Sequence, residues 1–142
     1  MELNDKIAGK LLNLARAAAE RAYAPYSGFP VGAALLTADG SFIAGSNVEN
    51  ASYGLTVCAE RVAAWTAAAA GHREIRAIAV VAPKAPGATP CGACRQVLNE
   101  FAPCDGELIV VLEGAAGPEL VPLSVLLPRS FGPRDLAHSA EH

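Results

Sequence analysis

Thr89-Pro90-Cys91-Gly92-Ala93-Cys94-Arg95-Gln96 is the stretch from which the rest of the chain can be read. Two cysteines three residues apart beside a proline rarely arise for packing alone, and they call for a partner. Cys58-Ala59-Glu60-Arg61 supplies it, opening an alanine-rich run of helical character. Two short segments thus offer three thiols and one carboxylate to a common point. The remainder of the chain reads as the scaffold that brings them together.

Outward from these segments the periodicities alternate. Asn4 can cap a helix whose apolar positions Ile7, Leu11, Leu14, Ala15 and Ala18 carry it to about Tyr23. Ala24-Pro25-Tyr26-Ser27-Gly28 ends it, and two strands follow, Val31 to Thr37 and Phe42 to Val48, joined by an Asp39-Gly40 hairpin turn. Loop formers from Asn47 to Gly54 deliver the chain to Cys58, whose helix runs through Trp65 to a Gly71 stop. Ile75 to Val81 is an apolar run broken only by Arg76, expected to be a central strand covered on both faces. Pro83, Pro86, Gly87 and Pro90 mark a loop, after which Cys91 to Phe101 reads as a helix. Leu108 to Leu112 repeats the buried-strand pattern, Glu119 to Val121 is a short edge strand, and Ser124 to Leu127 is one helical turn stopped by Pro128. Strands alternating with helices give a single α/β domain over residues 1–142, a mixed sheet with helices on both faces and a polar, loose tail from about residue 132.

Composition narrows the function. The 142 residues are 52% hydrophobic and 18% charged, apolar enough that other copies of the chain are expected to cover part of the surface. A net charge of -3 and a pI near 5.6 disfavour a nucleic-acid partner. The N-terminus has no basic region followed by an apolar core, and no apolar run is long enough to cross a bilayer, so a cytoplasmic location is expected. There the four cysteines stay reduced, which favours a metal or catalytic role over disulfides.

Counting ligands separates a catalytic zinc site, with three protein ligands and an open fourth position, from a structural one with four. His72 lies at the far end of the helix begun by Cys58, roughly 20 Å from it. His138 and His142 fall in the tail. Cys104 follows the helix of Cys91 and Cys94, on the order of 15 Å from the latter, and reads as a plain buried thiol. Cys58, Cys91 and Cys94 remain, each near a helix N-terminus, where the dipole favours thiolate. Standing alone, Cys91-Gly92-Ala93-Cys94 could equally be a redox pair; its company with Cys58 argues for metal. Glu60 can reach a zinc-bound water or serve only as a dipole partner. Arg61, on the same helical face as Cys58, can donate to the sulfurs or be a solvated surface residue.

Cys58-Ala59-Glu60 followed by Pro90-Cys91-Gly92-Ala93-Cys94 resembles the zinc signature of the cytidine deaminases, in the version with cysteine as first ligand. The similarity extends to Phe29-Pro30-Val31-Gly32-Ala33-Ala34-Leu35, to Asn47-Val48-Glu49-Asn50-Ala51-Ser52-Tyr53-Gly54, and to Leu126-Leu127-Pro128 with Phe131, which look like the small homotetrameric members. The resemblance implies a three-layer α/β/α sandwich with a five-stranded mixed sheet, a homotetramer with one zinc per subunit, and hydrolysis of cytidine and deoxycytidine to the uridines with release of ammonia, a pyrimidine-salvage reaction. Matched position by position, Asn47 and Glu49 would hold the ribose hydroxyls and Phe29 would pack on the nucleoside. Ala51, Tyr53 and Phe131 would approach from a neighbouring subunit. Backbone groups near Ala59 and Cys58 would read the pyrimidine edge, and Glu60 would carry protons in both directions. Taken singly, Phe29, Tyr53 and Phe131 could be core or interface residues, and Asn47 could merely serve the turn. A deaminase of a related aminopyrimidine, such as a blasticidin-type nucleoside antibiotic, is the nearest alternative. A structural zinc module lacks a fourth ligand, and a polynucleotide-editing deaminase lacks a basic stripe.

Overall fold

Alternation within β1 (Gly32–Thr37) explains the layering. Ala33 and Leu35 belong to one apolar cluster, Ala34 and Leu36 to another, so successive side chains feed opposite faces of one sheet. The computed structural model describes residues 3–136 and has five strands in the order β2-β1-β3-β4-β5, with β2 at Phe42–Ser46, β3 at Ile75–Val81, β4 at Ile109–Gly114 and β5 at Gly117–Pro122. β3 is the central strand, as its apolar run predicts, and pairs antiparallel with β1 but parallel with β4. The parallel pair needs a crossover, which α3 (Gly92–Asn99) provides.

One face is covered by α1 (Asp5–Ala19), which packs Ala8, Leu11, Leu12 and Ala15 onto Ala34, Leu36, Ala79, Val81 and Val111. The other is covered by α2 (Ala59–Ala69), α3 and the single turn α4 (Leu123–Leu126), with Ala63, Ala67, Leu98 and Leu123 against Leu35, Ile78 and Val110. The result is the three-layer sandwich with a five-stranded mixed sheet. Two glycines set the spacing. A Cβ on Gly32 would lie 1.8 Å from the Ala15 carbonyl oxygen of α1, and one on Gly45 would lie 2.6 Å from the Ala63 nitrogen and 2.7 Å from the Ala59 oxygen of α2. Both helices therefore sit on the sheet closer than any side chain allows, and α2 is the helix that carries Glu60.

Some boundaries differ from the sequence reading. α1 stops at Ala19, because the Tyr23 N–H donates to the Asn47 carbonyl at 3.0 Å and the Tyr23 carbonyl accepts from the Glu49 N–H at 2.8 Å. That pairing draws the chain out of the helix and also shortens β2 to Ser46. α3 ends at Asn99, followed by turns that leave Cys104 exposed, not buried as expected. Of the tail expected to be loose, Pro133–Asp135 forms a short helical turn braced by the Gly132 N–H donating to Asp135 Oδ2 at 2.8 Å. Residues 137–142, including His138 and His142, lie outside the described residues.

Candidate active site and metal centre

Two helix N-termini converge on the point proposed for the metal. Cys58 is the N-cap of α2, Cys91 the N-cap of α3, and Cys94 sits in the first turn of α3. Cys91 Sγ lies 4.0 Å from Cys58 Sγ and 3.3 Å from Cys94 Sγ, and all three sulfurs fall within 4.8 Å of one another. A tetrahedral zinc with bonds of about 2.3 Å separates its sulfurs by about 3.8 Å, so the set fits that ion. Among the described residues no histidine, carboxylate or fourth thiol completes the group. The redox-pair and four-ligand structural readings both lose ground here, since the third sulfur is in place and a fourth ligand is not.

The electrostatics agree. The Cys58 thiol is pulled down to about 5, first by a hydrogen bond from Cys94 and then by the Arg61 guanidinium, whose Nη2 donates to Cys58 Sγ at 3.2 Å. Cys94 moves up, because its proton is held against Cys58 and because it is buried. The cluster thus holds negative charge around a proton that a divalent cation would replace. The Cys94 N–H donates to Cys91 Sγ at 3.4 Å, a helix-terminus contact that also favours thiolate. Arg61 is therefore not a solvated surface residue: it is half-buried, and its Nε is a buried donor without a partner among the described residues.

Glu60 is 4% exposed. Burial pushes its carboxyl above the ordinary range, and the charge on Cys58 adds to the rise. The dipole-partner reading supposes an exposed carboxyl, and this one is buried in the first turn of α2.

Cys58 and Cys91 open onto a cleft of about 430 Å³. Phe29, Asn47, Glu49, Cys58, Ala59, Glu60 and Cys91 all line it, so most of the residues expected at the site meet around one space. Cys94 is fully buried beneath it. Ala51, Tyr53 and Phe131 are not among the lining residues; they are exposed, Tyr53 by 76% and Phe131 by 61%, and Tyr53 rests edge-on against Tyr26. The side chain of Asn47 does serve the local backbone, its Oδ1 accepting from the Val31 N–H at 2.8 Å and its Nδ2 donating to the Phe29 carbonyl at 3.0 Å. Glu49 accepts from the N–H groups of Tyr26 at 2.9 Å and Ser27 at 3.1 Å and from the Ser27 hydroxyl, which lowers its pKa. Ser27 and Thr89 also line the cleft, which the sequence does not announce: Ser27 reaches it through Glu49, 22 residues away, and Thr89 lies in an irregular loop where no periodicity marks it.

A three-layer sandwich that sets three thiols at two helix N-termini, with a buried glutamate beside them over a small-molecule cleft, defines a zinc-dependent deaminase. Residues 5–111 match the family model described as the cytidine and deoxycytidylate deaminase zinc-binding region, and the chain belongs to that family. It is 47% identical over 133 residues to a cytidine deaminase of Sporosarcina psychrophila, covering 93% of this chain and 96% of the relative. A cytidine deaminase of Halalkalibacterium halodurans is 50% identical over 127 residues, covering 89% and 95%. Among solved structures, the cytidine deaminase of Burkholderia pseudomallei superposes with a TM-score of 0.78 at 50% identity, over 86% of this chain and 97% of that one. That of Mycobacterium tuberculosis gives 0.77 at 40% identity, over 92% and 99%.

Proposed function

We propose that this chain hydrolyses cytidine and deoxycytidine to uridine and deoxyuridine, releasing ammonia, with zinc held by Cys58, Cys91 and Cys94. The observation that carries the reading is three sulfurs within 4.8 Å of one another, two of which, those of Cys58 and Cys91, share one cleft with buried Glu60. When bound, zinc supplies the Lewis acidity that brings a water's pKa toward neutrality. Glu60 takes the proton from the attacking water and gives it to ring N3, which makes C4 electrophilic; after addition at C4 it takes the remaining hydroxyl proton and passes it to the amine, so that the C4–N bond breaks, ammonia leaves and the C4 carbonyl forms. Arg61, donating to Cys58, offsets the charge of three thiolates and so preserves that acidity.

The nucleoside's other end is met by groups with capacity to spare. A carboxylate offers about four acceptor sites, and the hydrogen bonds to Glu49 from Tyr26 and Ser27 number three, which leaves one for a ribose hydroxyl. Asn47 retains one of its two N–H groups once Phe29 is served. Phe29, at 37% exposure, offers its ring to the cleft. Backbone groups at Ala59 and Cys58 face the base edge in this reading. A single domain, a homotetramer that brings Ala51, Tyr53 and Phe131 to neighbouring sites, a cytoplasmic location and a place in pyrimidine salvage complete the proposal. Supporting it are the exposed aromatics just named and, among the described residues, the lack of any helix long and apolar enough to cross a membrane. The direct test is the loss of cytidine absorbance with purified protein, with and without a zinc chelator. Turnover abolished by the chelator and restored by zinc supports the reading, and zinc-loaded protein inert towards both nucleosides ends it.

A further inference from the structure

The three sulfurs reach the centre from unequal supports. Cys58 follows a two-way bridge in which the Val57 and Val48 N–H groups each donate to the other's carbonyl at 3.0 Å, and it caps a helix whose Ala59 and Ala63 are wholly buried. Cys91 ends the loop 82–90, which contains Pro83, Pro86, Gly87 and Pro90. The backbone hydrogen bonds of that loop are two local turns, Ala85 N–H to Ala82 O at 2.9 Å and Ala88 N–H to Ala85 O at 3.0 Å. A ligand delivered by such a loop needs another restraint.

Arg95, in the residue after Cys94, turns back to supply one. Its Nε donates to the Pro90 carbonyl at 2.7 Å, its Nη2 to Thr89 Oγ1 at 2.9 Å, and its Nη1 to the Leu126 carbonyl at the end of α4 at 2.7 Å. One planar fork grips the two residues that precede Cys91 and ties them to a different element. We propose that Arg95 is a positioning residue of the metal centre, which fixes Cys91 Sγ by holding the Thr89 hydroxyl and the Pro90 carbonyl against α3 and tying them to the end of α4. The inference rests on the reading of Cys58, Cys91 and Cys94 as the ligands. A lysine, with a single compact ammonium, cannot reproduce three directed bonds from one plane.

The test is the rate at which the zinc-loaded protein surrenders its metal to a chromophoric chelator, well below the melting transition of every variant. Arg95→Ala is expected to release zinc about 10- to 100-fold faster than the parent protein, with Arg95→Lys in between. Leu98→Ala, which loosens the same helix from the core without touching the loop, is expected to melt earlier yet release zinc near the parental rate. Should Arg95→Ala fail to fold, Arg95→Lys against Leu98→Ala decides the question. Parental release rates in the Arg95 variants, or release from Leu98→Ala as fast as theirs, overturn the proposal. A parent protein that purifies and reconstitutes without zinc removes the proposal together with the three-sulfur reading. Zinc-loaded parent protein that leaves cytidine untouched removes only the assigned activity, because metal release is measured without substrate.

Discussion

Glu60 shows how much one side chain owes to its place in a helix. As the second residue of α2 it stands on the turn that Cys58 caps, and at 4% exposure it has lost its solvent while keeping the metal centre as a neighbour. Glu60→Gln keeps the shape and removes the proton carrier. We expect zinc content and nucleoside binding to persist while kcat falls on the order of 10²- to 10⁴-fold; turnover near the parental value would refute the role. Cys91→Ser should instead cost the metal itself, read by metal analysis of the purified variant. Glu49 behaves differently, as an acceptor whose pKa lies below the ordinary value because Ser27 and Tyr26 donate to its charged form. A carboxylate depressed in the folded state contributes stability above its unfolded pKa of about 4.3 and loses it as pH falls through the lower, folded value. The melting temperature of Glu49→Gln should therefore trail the parent protein at neutral pH, and the gap should narrow in acid. A gap that widens as pH falls would exclude this account. At this scale the metal ligands were legible because Cys91 and Cys94 lie three residues apart and Cys58 stands beside Glu60 as a recognisable partner type, whereas nothing in residue type or spacing announces that Ser27 pairs with Glu49 or Arg95 with Leu126.

The elements were legible wherever an apolar run or stripe marks them: the buried runs of β1, β3 and β4 and the apolar stripe of α1 all lie where their patterns put them. What escaped is the end of α1, which a backbone partnership between Tyr23 and the Asn47–Glu49 segment decides, and the exposure of Cys104, which depends on how the chain turns after α3. Neither is written in local propensity. The helix-to-sheet distance is likewise a tertiary fact carried by single glycines. Gly45→Ala would set a methyl 2.6 Å from the Ala63 nitrogen and so push α2, with Cys58 and Glu60, away from β2. Overpacking of this kind costs about 1–3 kcal/mol, and we expect a lower melting temperature accompanied by loss of activity. Gly9, inside α1 with nothing within 4 Å of where an added methyl would stand, provides the opposite case. Gly9→Ala should stabilise by about 0.5–1 kcal/mol with activity unchanged. Equal effects from the two substitutions, read by thermal denaturation, would show that close approach at Gly45 does not position α2.

Across the whole molecule the site looks unfinished within one chain. The cleft gathers Phe29, Asn47 and Glu49 from loops and Glu60 from α2, while Tyr53 and Phe131 do not line it and stand 76% and 61% exposed. Leu55, Val125 and Trp65 are also exposed. The backbone at Phe131 is nonetheless held firmly, since Gln96 Nε2 and Asn99 Nδ2 of α3 donate to its carbonyl at 2.9 and 3.2 Å. A ring fixed at its base and bare at its tip suits insertion into a second copy. If Phe131 completes a neighbour's cleft, Phe131→Ala should raise KM while leaving zinc content intact. Assemblies mixed from Phe131→Ala and Glu60→Gln subunits then decide whose cleft it serves. Glu60→Gln subunits contribute no turnover of their own but still carry the ring, so sites with an intact Glu60 beside such a neighbour should recover a parental KM for part of the activity. If the ring serves only the cleft of its own chain, the mixture will show the raised KM of Phe131→Ala at every ratio.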